Sequence, residues 1–286
     1  MQIMDHNEVA KVLAESLPYI QKYRGKTIVI KYGGSVMKDE KLKGYVINDL
    51  VLMKCVGINI VVVHGGGPFI SSHLKKLNKK SIFIDGLRYT DNETMDVVQM
   101  VLCGKVNKDL VNLIENYGGK SIGLCGIDGN MLEAKKASLK MDLGNVGEIV
   151  NVNTEIINNS IENGYIPVIS SVARGNNGEL YNINADTCTF RIAAALKAQN
   201  LIFLTDVPGV MTDVRDPSTL VSELKLQDIA KMYKDNMIKG GMIPKITSCV
   251  EAIESGVKSA HIIDGRVPHC LLLELFSKKG IGTMIY

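Results

Sequence analysis

The stretch Thr27-Ile28-Val29-Ile30-Lys31-Tyr32-Gly33-Gly34 decides the fold. Its β-branched run is apolar almost throughout, which is the pattern of a strand covered on both faces rather than of a half-exposed one. Lys31 closes the run and two glycines follow. The strand therefore delivers a cation to a turn that a ligand can approach closely. Working outward, similar runs recur at INIVVV (58–63), SIGLC (121–125), IPVISS (166–171), NLIFLT (200–205) and AHIID (260–264), with amphipathic stretches between them. Short buried strands alternating with helices predict an α/β protein, a three-layer α/β/α sandwich around a mostly parallel central sheet.

Between these strands, Thr90-Asp91-Asn92-Glu93 has the form of a capping box. Met95, Val98, Leu102, Val106, Leu110 and Leu113 then mark one face of a long helix that stops near Gly118-Gly119. Turn residues at Asp142-Leu143-Gly144-Asn145 and at Gly175-Asn176-Asn177-Gly178 predict two hairpins, antiparallel additions to the parallel sheet. No repeat or Pro-rich linker is present, so a division into halves runs through a shared sheet, and it is expected near residue 194.

The totals limit the function classes. A chain of 286 residues with 46% hydrophobic and 22% charged residues is an ordinary globular composition and holds about one or two domains. A net charge of +3 without a long Lys/Arg run gives no nucleic-acid or membrane patch. Cys55, Cys103, Cys125, Cys188, Cys249 and Cys270 lie far apart, with no CxxC pair and no Cys/His cluster at zinc spacing, so they read as small buried hydrophobes and no protein-held metal is expected. Charges interrupt the N-terminus too often for a signal peptide, and no apolar run reaches the ~20 residues of a membrane span. A cytoplasmic enzyme is expected.

Four glycine-centred turns carry the chemistry: Gly33-Gly34, Gly65-Gly66-Gly67, Pro208-Gly209 and Gly240-Gly241. In an open parallel sheet the ligand crevice lies beyond the carboxyl ends of the strands, and glycine exposes the N–H groups that phosphates need. One such loop is more often only a tight turn; several together point to a polyanionic ligand. Lys31 emerges beside Gly33-Gly34. Lys245, in GGMIPKI, opens a helix after Pro244, where a cation opposes the macrodipole unless an anion binds there. Asp186, in NINAD, sits in the first turn of another helix, where the dipole favours its charge and its carboxylate can orient ammonium groups. Arg88, in GLRYTD, has the planar fork that grips a carboxylate. Solvated lysines, an ordinary helix-start acid and a surface salt bridge are the plainer readings of these four residues.

Two other motifs fail on context. Gly119-Lys120-Ser121 imitates the end of a P-loop, but Ile114 stands where its first glycine belongs and the order is helix to strand. His64-Gly65-Gly66-Gly67 with Gly119-Lys120-Ser121-Ile122-Gly123 imitates an esterase, and again strand and helix are reversed. His261 and His269 remain as triad candidates for that reading, although a strand-end or helix-packing role is the commoner fate of such histidines.

With TIVIKYGGSVM, VVVHGGGP, GLRYTD, YNINAD, LTDVPGV, GGMIPKI and HIIDGRVP in this order, nearly the whole chain resembles the amino acid kinase family. The likeness is strongest to the members that phosphorylate N-acetyl-L-glutamate. It implies the amino acid kinase fold and transfer of the terminal phosphoryl group of ATP, with Mg²⁺ carried by the nucleotide, to a carboxylate. By this resemblance Lys31 and Lys245 stabilise the transferring group and Asp186 holds both lysines. Gly33, Gly34 and Gly66 offer N–H groups to the phosphates. Gly66, Gly67, Arg88 and Asn182 receive the acid, and Asp206, Gly209 and Gly241 receive the nucleotide. The halves become an acid-binding, dimer-forming part (25–194) and an ATP-binding part (195–286). Tyr89 and Arg174 depart from the family pattern and bear only on the fit of the substrate.

Residues 5–23 precede the first strand, and Val9, Val12, Leu13 and Ile20 approximate one apolar stripe bent by Pro18. Alone, this reads as a helix packed on its own domain. Similar extensions mark arginine-inhibited hexameric members of the family, so residues 1–24 are expected to join homodimers into a hexamer inhibited by L-arginine, with Tyr19, Lys197, His269, Glu274 and Gly280 as effector contacts. The rival readings are a kinase of another small amino acid on the same fold and a catalytically silent nucleotide-binding regulator. The esterase is a distant third.

Overall fold

The computed structural model describes residues 6–34, 36–213, 215–234, 237–238 and 241–286. Gly240 lies outside them, and so do the side chains of Val9 and Lys38. Helix α1 (His6–Tyr23) precedes strand β1 (Thr27–Tyr32). Then come α2 (Glu40–Cys55), β2 (Asn59–His64), α3 (Gly67–Lys76), the small hairpin of β3 (Phe83–Ile84) and β4 (Leu87–Arg88), and a helix in three parts: α4 (Asn92–Gln99), a π-helical segment (Met100–Val106) and α5 (Asn107–Asn116). The middle of the chain holds β5 (Ser121–Cys125), β6 (Leu132–Lys136), β7 (Gly147–Val152), α6 (Glu155–Glu162), β8 (Ile166–Ser170), β9 (Val172–Arg174), β10 (Leu180–Asn182) and α7 (Ala185–Ala195). The last part carries β11 (Asn200–Thr205), β12 (Glu223–Leu224), α8 (Leu226–Lys234), α9 (Met242–Glu254), β13 (Ser259–Asp264), α10 (Cys270–Leu275) and β14 (Thr283–Ile285).

Eight strands form the central sheet in the order β12-β14-β13-β11-β1-β2-β8-β5. Every neighbouring pair is parallel except β13 with β14. β1 lies mid-sheet, and the chain leaves it toward β2 on one side before returning to β11 on the other. That reversal is the topological switch where α/β sheets bind ligands. The expected hairpins are β6–β7 and β9–β10, within a second, four-stranded sheet in the order β10-β9-β6-β7. Residue 194, where the division is expected, lies in the last turn of α7, and β11, the next strand, pairs directly with β1.

Alternation along the strands sorts the two helical layers. Ile28 and Ile30 of β1 face a core with α2, α4 and α5, whereas Val29 faces a core that holds Cys188 and Ile192 of α7 and Ile246 and Cys249 of α9. Lys31, two residues past Val29, takes the same side. The period-two rule thus aims its ammonium at the starts of α7 and α9.

Two local expectations need correction. The cap of α4 is Asp91 rather than Thr90: Asp91 accepts the Thr94 N–H at 2.8 Å, while Thr90 is drawn away to donate to the Arg88 carbonyl at 2.7 Å. Glu93 does not reach back to complete a box but pairs with Lys79 at 2.8 Å. The long helix is also not α-helical throughout. Val98, Leu102, Val106 and Leu110 are spaced by four, and each such step overshoots a full α-turn by about 40° at 3.6 residues per turn. The wider turn of the π segment takes up that excess and keeps all four buried. Among the described residues no helix is long and apolar enough to cross a membrane.

Candidate active site

Lys31, Asp186 and Lys245 meet at the carboxyl edge of β1. Lys31 Nζ lies 3.0 Å from Asp186 Oδ1, and Lys245 Nζ lies 3.2 Å from Asp186 Oδ2. Each partner comes from a different element, and the Asn184 side chain sets the start of α7 by accepting the N–H groups of Asp186 and Thr187 at 2.9 and 3.2 Å. Burial pushes the Asp186 carboxyl upward, but the charges of the two lysines outweigh it and hold the group below its ordinary value. The carboxylate stays ionised and works as a bracket that keeps two ammonium groups apart from each other and together at one place.

The glycines shape what surrounds this bracket. A Cβ on Gly33 would lie 2.6 Å from the Leu204 carbonyl and 3.2 Å from Lys31 Nζ, so only glycine lets β1 turn here against β11. A Cβ on Gly34 would touch the Pro68 ring at 3.7 Å, which places this turn beside the Gly65-Gly66-Gly67 loop that opens α3. Gly66 is itself packed on the π segment: a Cβ there would sit 2.6 Å from Leu102 Cδ2. The residue before this loop, His64, is fully buried. Its Nδ1–H donates to the Gly65 carbonyl at 2.9 Å while Nε2 accepts from Asn107 at 3.1 Å, and burial pushes the ring down to about 4, so it is neutral and pins the loop.

Two cavities flank the bracket. One, of ≈ 150 Å³, is lined by Gly65, Gly66, Gly67, Arg88, Asn182 and Ser171 among others. Arg88 is 6% exposed, donates to the Gly67 carbonyl and to the hydroxyls of Ser71 and Ser81 at 2.8–3.0 Å, and stacks over Phe83 at 4.5 Å. Among the described residues no carboxylate pairs with it. A buried, uncompensated guanidinium is costly, and a bound carboxylate removes that cost. Asn182 donates to Thr90 Oγ1 at 3.1 Å and faces the same cavity. Tyr89 and Arg174 line neither this cavity nor the bracket; Arg174 instead donates to Asn130 at 2.8 Å in a separate hollow.

The second cavity, of ≈ 500 Å³, is lined by Asp206, Gly209, Met211, Met237, Gly241 and Lys245 among others. Lys245 is therefore shared between bracket and cavity. Asp213, Arg215, Met211 and Met237 were not singled out from the sequence, because nothing in a polar surface loop marks which side chains will fold over a crevice. Ser171 and Leu102 of the smaller cavity were missed for a related reason: one reads as a strand residue and the other as a core residue.

The five expected effector contacts are held in different places. Tyr19 is half-buried on α1, and Lys197 takes a left-handed φ of 46° after α7. His269 Nδ1 is 2.7 Å from Asp49 on α2. Glu274 and Gly280 are adjacent, but Glu274 is buried, with one oxygen against His261 at 2.7 Å and the other accepting the N–H groups of Ile281 and Gly282.

The amino acid kinase family model matches residues 26–264, a span that contains the bracket and both cavities. This chain belongs to the amino acid kinase family. As an amino acid kinase it is 79% identical over 283 residues to the acetylglutamate kinase of Clostridium kluyveri, covering 99% of this chain and 100% of that one. It is 63% identical over 285 residues to the acetylglutamate kinase of Clostridium beijerinckii, again covering 99% and 100%. Among solved structures, N-acetylglutamate synthase from Neisseria gonorrhoeae in complex with coenzyme A and N-acetyl-glutamate superposes with a TM-score of 0.83 at 24% identity, over 96% of this chain and 63% of that one. Carbamate kinase from Giardia lamblia bound to AMP-PNP superposes with a TM-score of 0.64 at 16% identity, over 91% and 98%. These two share the fold.

Proposed function

We propose that this kinase transfers the γ-phosphoryl group of ATP to the side-chain carboxylate of N-acetyl-L-glutamate, a step of arginine biosynthesis. The observation that carries the reading is the buried Arg88, without an acidic partner among the described residues, in a small cavity beside the Lys31–Asp186–Lys245 bracket. Curated relatives at 51–79% identity that bear the name acetylglutamate kinase support the choice of acid.

The acid binds with one carboxylate on Arg88 and Asn182 and presents the other to the bracket. That carboxylate is already ionised near neutral pH, so no general base is needed. Its oxygen forms a bond to the γ-phosphorus as the bond from phosphorus to the β,γ-bridging oxygen breaks, and ADP leaves with the electron pair. The barrier is mainly charge on the phosphoryl oxygens. Lys31 and Lys245 meet that charge from two sides, and the N–H groups of Gly34 and Gly66 add donors. Mg²⁺ carried by the nucleotide neutralises the polyphosphate. The nucleotide fills the larger cavity near Asp206, Gly209 and Gly241. All residues named for the acid fall within 25–194 and those for the nucleoside within 195–286, which supports the two-part division.

ADP release against N-acetylglutamate, glutamate, an N-acetylaminoadipate and carbamate tests the reading. A kcat/KM for N-acetylglutamate at least about tenfold above each of the others is expected, since a site built to bind a polar group rejects its absence strongly. Release of ADP with none of them would leave a silent nucleotide-binding protein.

The regulatory part of the proposal rests on α1. Val12, Leu13 and Leu17 are 52–67% exposed along it, a stripe that a second copy of the helix can cover. The homodimers then join as a hexamer, and L-arginine inhibits by favouring one arrangement of that junction, with contacts drawn from Tyr19, Lys197, His269, Glu274 and Gly280. Sedimentation and arginine titration of a chain lacking residues 1–24 test this: dimers that stay active and lose inhibition are expected, and a truncated hexamer overturns it.

A further inference from the structure

Two of the six cysteines meet beneath the acid cavity. Cys103, on the π segment, is half-buried, and its Sγ is 3.3 Å from the Ser170 hydroxyl at the end of β8. Cys125, at the end of β5, is the cross-strand partner of Ser170 in the parallel register. Neighbouring strands are about 4.8 Å apart, so both cysteines belong to one cluster around Ser170. Cys188 and Cys249 are buried in the core between α7 and α9, Cys270 is buried on α10, and Cys55 is exposed on α2.

The chemistry of the two sulfurs is unequal. The neighbouring Cys125 and the Ser170 hydroxyl stabilise charge on Cys103 and hold its thiol below the ordinary value despite its burial; the positive Lys108 helps and the negative Asp128 opposes. Cys125 is pushed upward by the neighbouring Cys103 and by burial, and remains a thiol. A half-buried cysteine with a lowered thiol beside a second, buried cysteine is the arrangement of an attacking and a resolving cysteine. It stands where it can act on the site. Leu102, next to Cys103, lines the acid cavity and packs on Gly66, and Ser171, next to Ser170, lines the same cavity.

We propose that Cys103 and Cys125 are a peroxide-sensitive pair whose disulfide draws the π segment toward β5 and closes the acid cavity. In the first step the Cys103 thiolate attacks one oxygen of hydrogen peroxide; an S–O bond forms, the O–O bond breaks, and hydroxide leaves to be protonated to water. Cys103 is then a sulfenic acid, oxidised by two electrons while the peroxide is reduced. In the second step the Cys125 sulfur attacks Cys103; the S–S bond forms, the S–O bond breaks, and the oxygen leaves as water with the Cys125 proton. A small dithiol reverses the change by exchange. The linkage stands on the cysteine geometry alone, whereas its effect on rate rests on the acid-site reading above.

The test treats the full-length protein with hydrogen peroxide, then reads peptide linkage by mass and ADP release by coupled assay. The expected result is a Cys103–Cys125 cross-linked peptide two hydrogens lighter than its parts. With it, kcat/KM for the acid falls about tenfold or more, as an ångström-scale misplacement can cost up to ~10²-fold. Dithiothreitol restores both, and Cys103→Ser and Cys125→Ser keep their activity under peroxide. Oxidation of Cys103 without linkage to Cys125, or equal inactivation of Cys125→Ser, overturns the proposal. A linked peptide with unchanged rate for an acid that the enzyme does phosphorylate overturns the closure of the cavity. A protein that turns over no acid fails the functional reading, and the mass result still decides the pair.

Discussion

Lys31 and Lys245 share the carboxylate of Asp186, one on each oxygen, at 3.0 and 3.2 Å. Neither lysine pairs with another acid among the described residues, so the position of each depends on the same side chain. One anion between two cations leaves an excess of positive charge at the point where two glycine turns converge.

Lys245→Ala is expected to lower kcat by roughly 10³ or more, the scale of charge-stabilising groups in phosphoryl transfer, with little loss of stability. The Lys31–Asp186 contact survives in that variant. Asp186→Asn is expected to lower kcat as well, because the amide keeps the shape but releases the charge that orders both ammonium groups. Steady-state ADP release beside thermal melting separates rate from folding; a Lys245→Ala enzyme with more than about a tenth of wild-type kcat would take this residue out of the mechanism.

Arg88→Ala is expected to raise KM for the acid about ten- to a hundredfold and to leave that for ATP nearly unchanged, since a lost charged hydrogen bond costs about 1.5–3 kcal/mol. Arg88→Lys should recover only part of this, because an ammonium cannot make the forked contact. Equal rises in both constants would show that the guanidinium serves the fold through Gly67, Ser71 and Ser81 rather than the acid.

Gly66→Ala places a methyl 2.6 Å from Leu102 Cδ2 and 3.3 Å from Val106 Cγ2. The loop must shift away from the π segment, and KM for the acid is expected to rise. Leu102→Val, which removes the colliding carbon, should restore part of the loss, with a coupling of about 0.5–3 kcal/mol in a double-mutant cycle. Additive effects of the two changes would mean that the loop and the π segment are not in steric register.

His64 is neutral in the folded chain, pushed by burial to about 4 from an ordinary 6.5. The unfolded chain therefore binds more protons than the folded one between those values, and stability falls as pH drops through that window. About 2 kcal/mol should be lost between pH 7 and pH 5 on this account. His64→Gln should show a smaller loss over the same range in urea unfolding. Asp186 acts in a lower window: its stability contribution is present above the ordinary carboxylate value and is lost as pH falls through its depressed one. A wild-type and a Gln variant with identical slopes from pH 7 to pH 5 would mean that His64 is solvated.

Six of the eight central strands, the two hairpins and the half-exposed extension helix were legible in the sequence, because they follow from periodicity, β-branching and turn residues within windows of about ten positions, whereas the short β12 and β14 were not. The run from Thr27 to Gly34 alone specified a buried strand that ends in a cation and a flexible turn. Arg88 and Asn182 were legible only through the motifs that carry them. The encounter of Lys31 with Lys245 across Asp186 was decided by strand order: β11 returns to the side of β1 opposite β2, and this brings the starts of α7 and α9 over the same strand end. The His64–Asn107 contact and the Cys103–Ser170–Cys125 cluster were decided in the same way, and each joins residues whose neighbours in sequence say nothing of one another. Local sequence sets which face of an element is buried, whereas the partner on that face depends on topology and register, which only the folded chain supplies.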